Sequence, residues 1–322
     1  MFKGKTDINF NLLQAAIGFQ LKLTPNLNST LSYIRSIYNA KISPFTLKTD
    51  IEGRDPLVQQ VPLRYSYLKG HAFEARFIYN ALKRDRYSEI NPSGGFYLYS
   101  RLTHESNEFL TDFDITKVLD VEVYKTYVYN SLQLDGEIYF SNPLIESHAL
   151  GLQFKGGYID KPVDSFFNNF AGGIFGLRGY PFYSIEGRHK LIGSMSYRFP
   201  IHRNLDYKLG HLHFDKLYFG LFYDYGNAFN GDKIEFNKFK RDAGFELRLE
   251  SFSYNMFPTK IFLQAAWPID EARNLDERRD EIITYEKDWR YYFGILFDFD
   301  LREQYNSLMG KSNPSMRKLK IW

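Results

Sequence analysis

A period of two governs this chain. In 216-228 one face carries Leu217, Phe219, Leu221, Tyr223 and Tyr225, and the other Tyr218, Gly220, Phe222, Asp224 and Gly226. In 240-250 Ala243, Phe245, Leu247 and Leu249 oppose Gly244, Glu246, Arg248 and Glu250. In 131-140 Leu132, Leu134, Ile138 and Phe140 oppose Gln133, Asp135, Glu137 and Tyr139, and in 71-81 Phe73, Ala75, Phe77, Tyr79 and Ala81 oppose Glu74 and Arg76. Successive side chains of a strand point to opposite faces, so each stretch reads as a strand with one apolar and one charged side. The same reading, with Asn, Gly, Pro, Asp and Ser clusters as breaks, gives strands at 7-23, 28-42, 57-69, 71-83, 94-105, 129-140, 147-158, 188-200, 216-228, 240-252, 259-267 and 289-300. These are about twelve strands, and long helices are hard to find.

Composition narrows the fold class. Aromatics make up 18%, with 30 Phe and 25 Tyr against 3 Trp, as expected of a β-rich chain. Charged residues make up 25% and mean hydropathy is −0.40, so no segment reaches the roughly 18 apolar residues of a membrane helix. Two all-β architectures remain: a soluble sandwich or lipocalin-like barrel, and a transmembrane antiparallel β-barrel with a wet lumen. A charged face repeated over many strands, with no helix layer to cover it, favours the membrane barrel. Connection lengths agree in part. Short ones at 141-146 and 253-258 alternate with long ones at 106-128, 159-187 and 268-288, as in outer-membrane barrels. Two places break the scheme: 201-215 falls where a short turn is expected, and 68-71 where a long loop is expected.

Other classes find little support. Without Cys there is neither a disulfide framework nor a thiolate site, and a net charge of +3 gives no case for nucleic acid. Met1-Phe2-Lys3-Gly4-Lys5 lacks the apolar stretch of a signal peptide, so an exported protein would be represented here by a mature or truncated chain. There is no Gly-x-Ser-x-Gly, no phosphate-cradling loop and no His-Glu-x-x-His. Gly310-Lys311-Ser312 lacks the earlier glycine of a P-loop. His202, His211 and His213 read as a solvated turn rather than a metal site, and the charged run from Asp270 to Glu281 as an external loop rather than a calcium loop. No catalytic residue, metal or cofactor is expected.

Three short motifs carry the functional reading. Residues 173-181, Gly-Ile-Phe-Gly-Leu-Arg-Gly-Tyr-Pro, form a glycine-bracketed loop with one Arg. Tyr197-Arg198-Phe199-Pro200 ends one strand, and Phe222-Tyr223-Asp224-Tyr225-Gly226 lies in the next, with Asp224 on the face away from Leu221 and Tyr223. In this order and spacing, over about 129-300, they resemble the C-terminal barrel of the BamA/TamA superfamily of outer-membrane assembly and translocation proteins, also called bacterial surface antigens. Before residue 129 the likeness is architectural.

The resemblance implies a non-catalytic barrel in the outer membrane of a Gram-negative bacterium. It would work on unfolded or exported protein substrates, in contact with outer-membrane lipid and with periplasmic or lipoprotein partners. It makes Leu177, Arg178, Gly179 and Tyr180 the motif of external loop six, with Arg178 reaching into the lumen toward Asp224 and with Gly226 completing the strand motif. The family's usual Glu is replaced by Ser196, which leaves Glu246, on the same side by alternation, as the possible second acidic partner. The family's first and last strands pair weakly and open sideways, the last being 289-300 here. In register with that family the strands would be five to sixteen of sixteen, with the preceding strands and POTRA domains missing; a twelve-stranded barrel is the alternative. The barrel domain would be 1-300 and a disordered periplasmic tail 301-322. A second reading makes the barrel an anchor or pore for a hydrolase or propeller domain upstream of residue 1.

Overall fold

The computed structural model describes residues 7–49, 57–83, 92–114, 121–142, 144–145, 147–254, 257–276 and 281–297. The expected tail, 301-322, lies outside them. In chain order the strands are β1 (Asp7–Lys22), β2 (Leu27–Thr49), β3 (Leu57–Leu82), β4 (Gly95–Asp114), β5 (Val121–Ser141), β6 (Ala149–Ile159), β7 (Asn169–Phe170) and β8 (Glu186–Gly187). They continue with β9 (His189–His202), β10 (Tyr207–Leu209), β11 (Leu212–Phe229), β12 (Lys240–Ser253), β13 (Phe257–Pro268), β14 (Ala272–Asp276), β15 (Glu281–Tyr285) and β16 (Arg290–Phe297). One antiparallel sheet takes the order β1-β2-β3-β4-β5-β6-β9-β11-β12-β13-β16, and β10 adds a twelfth strand beside β11. Among the described residues no helix is long and apolar enough to cross a membrane, which leaves crossing by strands untouched.

One strand boundary differs from the sequence expectation. Residues 57-69 and 71-83 are a single strand, β3, of 26 residues. Gly70, read as a break, is a mid-strand glycine whose missing side chain leaves room for the Asn107 side chain from β4. Merging the two removes the connection at 68-71. The segment 201-215 is also shorter than it reads, because β9 runs on to His202 and Tyr207–Leu209 turns back on Leu212–Phe214.

The chain forms two compact units. Among the described residues, the first holds those within 7–22, 29–76 and 101–131, and the second those within 23–28, 77–100 and 132–297. In the first, β2 to β5 contribute runs from strands of 23, 26, 20 and 21 residues, about twice what a tilted strand needs to span a bilayer. The wall strands of the second are shorter: 11 residues in β6, 14 in β9, 18 in β11, 14 in β12 and 12 in β13.

In the second unit the burial of the two faces is the reverse of a soluble sheet. Leu221, Phe245, Ala265 and Tyr291 are successive partners across β11, β12, β13 and β16. Of these, Leu221 is 51% and Tyr291 68% exposed, while the small Ala265 is buried. The adjoining row, Gly220, Glu246, Gln264 and Tyr292, belongs to the other face, where Glu246 and Gln264 are buried. A wall with an apolar exposed side and a buried polar side suits lipid on one side and a polar interior on the other. The apolar core is correspondingly small. Ala171, Leu177, Tyr180 and Ile185 from the connection after β6 pack with Ile192 of β9, Ala228 of β11 and Ala272 of β14, and Tyr285 of β15 lies against them.

Candidate functional site

The connection between β6 and β9 folds on itself before it meets the sheet. Asn169 and Phe170 pair with Gly187 and Glu186 at its base. Further in, Leu177 N–H donates to Ala171 O at 2.7 Å, and Gly173 N–H to Tyr180 O at 3.0 Å. These bonds satisfy the backbone of a loop without regular structure and present Leu177, Arg178, Gly179 and Tyr180 as one rigid turn. Leu177 is fully buried in the apolar cluster.

Arg178 lies on the polar face of β9 and β11. Its Nε donates to Asp224 Oδ2 at 2.7 Å and its Nη2 to Asp224 Oδ1 at 2.6 Å, a fork matched to a carboxylate. The same Nη2 donates to Ser194 Oγ at 2.9 Å, and the Ser194 hydroxyl in turn donates to Asp224 Oδ1. The guanidinium carbon stands 3.4 Å from the ring centroid of Phe222. Asp224 is fully buried. Burial pushes the Arg178 pKa down, but the charge and hydrogen bonds of Asp224, with the fields of Asp242 and Glu246 behind them, hold it above its ordinary value. The group is therefore a permanent cation.

Alternation explains which side chains converge. Gln153, Ser194, Asp224 and Asp242 are register partners across β6, β9, β11 and β12, in a row that runs beneath the guanidinium. Ser196 lies in the adjoining row, opposite Gly151 and Phe222, and its hydroxyl points to Gly151 O. Gly226 lies two residues beyond Asp224, opposite Ile192 and Lys240. Glu246 faces the same side as Asp224, and its carboxylate is bonded to Arg248 and Gln264. Arg198 donates to Pro92 O at 2.7 Å, away from the Arg178 loop.

Gly179 and Tyr180 fix the loop to later strands. A side chain at Gly179 would stand 2.7 Å from Asp242 Cβ and 2.8 Å from Pro268 N, so only glycine lets the turn approach β12 and β13 this closely. The Tyr180 hydroxyl shares its proton between Asp270 O at 2.8 Å and Arg241 O at 3.0 Å, and burial pushes its pKa up. From β16, Tyr292 donates its hydroxyl proton to Arg178 O at 2.8 Å and Arg290 Nε donates to Gly179 O at 3.0 Å.

Sequence reasoning named Arg178 and Asp224, which the structure brings together, and missed Ser194, Asp242, Arg290 and Tyr292. A signal for each was present. Ser194 and Asp242 fall on the polar alternation of their strands, and Arg290 and Tyr292 alternate with the exposed Tyr291 and Phe293. Asp242 is buried beside Asp224, its register partner on β11, and lies directly under the Gly179 turn. The histidines of the β9–β11 connection go elsewhere: His213 faces Asp206 at 3.0 Å and His211 stacks on Tyr254.

No curated protein matches this chain. The order of the motifs, the alternating wall and the loop held on its polar face nonetheless have a family counterpart: the Omp85 superfamily domain matches residues 6–299, and the chain belongs to that superfamily of outer-membrane insertion and translocation proteins.

Proposed function

We propose that this chain is a non-catalytic outer-membrane β-barrel that inserts or translocates other polypeptides, with the Arg178 loop held in its lumen as a releasable closure. The observation that carries this reading is the Arg178–Asp224 pair, buried on a polar face whose reverse side is apolar and exposed. A wall of that kind sits in outer-membrane lipid with its charges inward. A loop fastened inside it by side chains can leave and return without unfolding the wall. The substrates are unfolded or exported proteins, and periplasmic or lipoprotein partners would deliver them. Among the described residues the sheet order ends at β16, so one edge of that strand is placed to offer main-chain hydrogen bonds to an incoming strand.

The test is reconstitution. The purified protein in liposomes should speed the folding of an unfolded outer-membrane barrel substrate, read by heat-modifiable gel migration and protease protection. Arg178→Met should remove most of that gain, and Arg178→Asp with Asp224→Arg should recover part of it. Substrate folding at the rate of empty liposomes would sink the proposal, as would recovery of the protein itself from the soluble fraction.

A further inference from the structure

The loop's two motif carbonyls point along the sheet, away from Asp224. Buried backbone carbonyls need donors, and those of Arg178 and Gly179 find them in Tyr292 and Arg290, 114 and 111 residues away in sequence. Both donors sit on β16, on the face opposite the exposed Tyr291 and Phe293. They pair with Gln264 and Ala266 of β13, so the β13–β16 ladder fixes where their side chains start. Phe182, four residues beyond Arg178, adds an edge-on contact with the Tyr292 ring at 6.2 Å. The Arg178 side chain meanwhile is fastened to β11. One turn of loop thus bridges from β11 past β12 and β13 to β16, three strand spacings or roughly 14 Å.

The position of β16 gives that bridge a consequence. Its described part is eight residues long, and among the described residues β13 is its one neighbour in the sheet order. A terminal strand held by a single ladder frays more readily than an interior one. We infer that Arg290 and Tyr292 are positioning residues that clasp the Arg178 loop to β16, so that loop and terminal strand are held together and released together. Withdrawing Arg178 from Asp224 removes two hydrogen bonds from β16; moving β16 removes the two carbonyl partners that keep Arg178 aimed at Asp224. The inference concerns this coupling and does not rest on the translocation reading.

Hydrogen exchange on the full chain in detergent micelles tests it, read on peptides covering 172-181 and 290-297. Tyr292→Phe deletes one hydroxyl and keeps the ring, so it is the variant least able to disturb folding. It should raise exchange in 172-181 about fivefold, the ratio expected for one ordinary hydrogen bond. Arg290→Met should do at least as much, and Arg290→Lys should restore part of the protection because it returns a donor. Arg178→Met should raise exchange in 290-297 as well as in its own loop, while peptides of β4 and β5 keep the parent rate. Faster exchange in 172-181 with 290-297 unchanged in Arg178→Met would overturn the coupling. So would parent-like exchange of 172-181 in Tyr292→Phe.

Discussion

The polar faces of the two units are satisfied in different ways. In the first unit the carboxylates of Glu74 and Glu105 are met by partners close in sequence or on adjoining strands. Glu74 takes Arg76, two residues on, and Arg101 of β4 at 3.8 Å. Glu105 accepts from Thr103 and Asn107, two residues either side, and from Tyr129 of β5. In the second unit the central charge is met from outside the sheet, by Arg178 on a loop 46 residues before Asp224, and that loop is held in turn from β16. A polar face closed by its own ladder is complete once the strands pair. One closed by a loop contains a part that can be withdrawn. The same period of two therefore builds a wall in one unit, and a wall with a removable fitting in the other.

The most direct way to break this contrast is to delete corresponding charges. Asp224→Ala leaves the Arg178 guanidinium buried without its carboxylate, which should cost about 3–5 kcal/mol and expose the 160-188 connection to protease. Glu74→Gln should cost only about 1 kcal/mol, because Arg76 and Arg101 retain some exposure and water can replace the lost bonds. Urea unfolding in detergent, with limited proteolysis, measures both. Equal losses would mean that the two faces are closed by the same means. Arg178→Asp with Asp224→Arg should recover part of the loss, which separates a direct pair from two independent contributions.

Two glycines sharpen the contrast at lower cost. At Gly179 an added methyl would meet the backbone of Pro268 at 2.8 Å, which has nowhere to go, so Gly179→Ala should destabilise by about 1–3 kcal/mol and loosen the loop. At Gly70 the obstacle is the end of the Asn107 side chain, which can shift at the expense of its hydrogen bonds to Glu105 and Tyr129 where a backbone cannot. Gly70→Ala should therefore cost less than Gly179→Ala, about 1 kcal/mol or below. The reverse order would place the tighter packing in the first unit.

Much of the wall was legible because alternation is a local property. Leu221 against Phe222, or Phe245 against Glu246, assigns a residue to its face without knowledge of the neighbouring strand. Length was less legible: Lys69-Gly70 looks like a turn until Asn107 is seen to fill the space beside it. At the site, Arg178 and Asp224 were found through motif order, whereas Arg290 and Tyr292 were not, because their partners are backbone carbonyls and a carbonyl leaves no mark in sequence. Asp242 was passed over for the opposite reason. Alternation put several acids on the polar face of β12, and only the register, which sets Asp242 opposite Asp224 and Glu246 opposite Gly220, separates the acid beside Asp224 from the one engaged by Arg248 and Gln264.

The smallest expected effect lies at the rim of the second unit, where a surface pair backs the loop. Arg241 grips Asp270 through Nε at 3.0 Å and Nη2 at 2.8 Å, and the Asp270 carbonyl accepts from Tyr180. Hydrogen bonding from Arg241, helped by its charge and opposed by slight burial, holds the Asp270 pKa below its ordinary value. A carboxylate lowered in the folded state stabilises fully above its unfolded pKa of about 3.9, and the contribution is lost as pH falls through the folded value. Between pH 8 and 5 the rim should therefore not change; loosening should begin only below about pH 4. Pepsin cleavage within 269-289 should be slower in the parent than in Asp270→Asn near pH 4, by less than about fivefold given the exposure of the pair, and the two should converge as the pH is lowered further. A parent that loosens already at pH 6 would show that a group other than Asp270 holds the rim. That result would make the outer end of the loop, like its Arg178 end, dependent on partners beyond the adjoining strand.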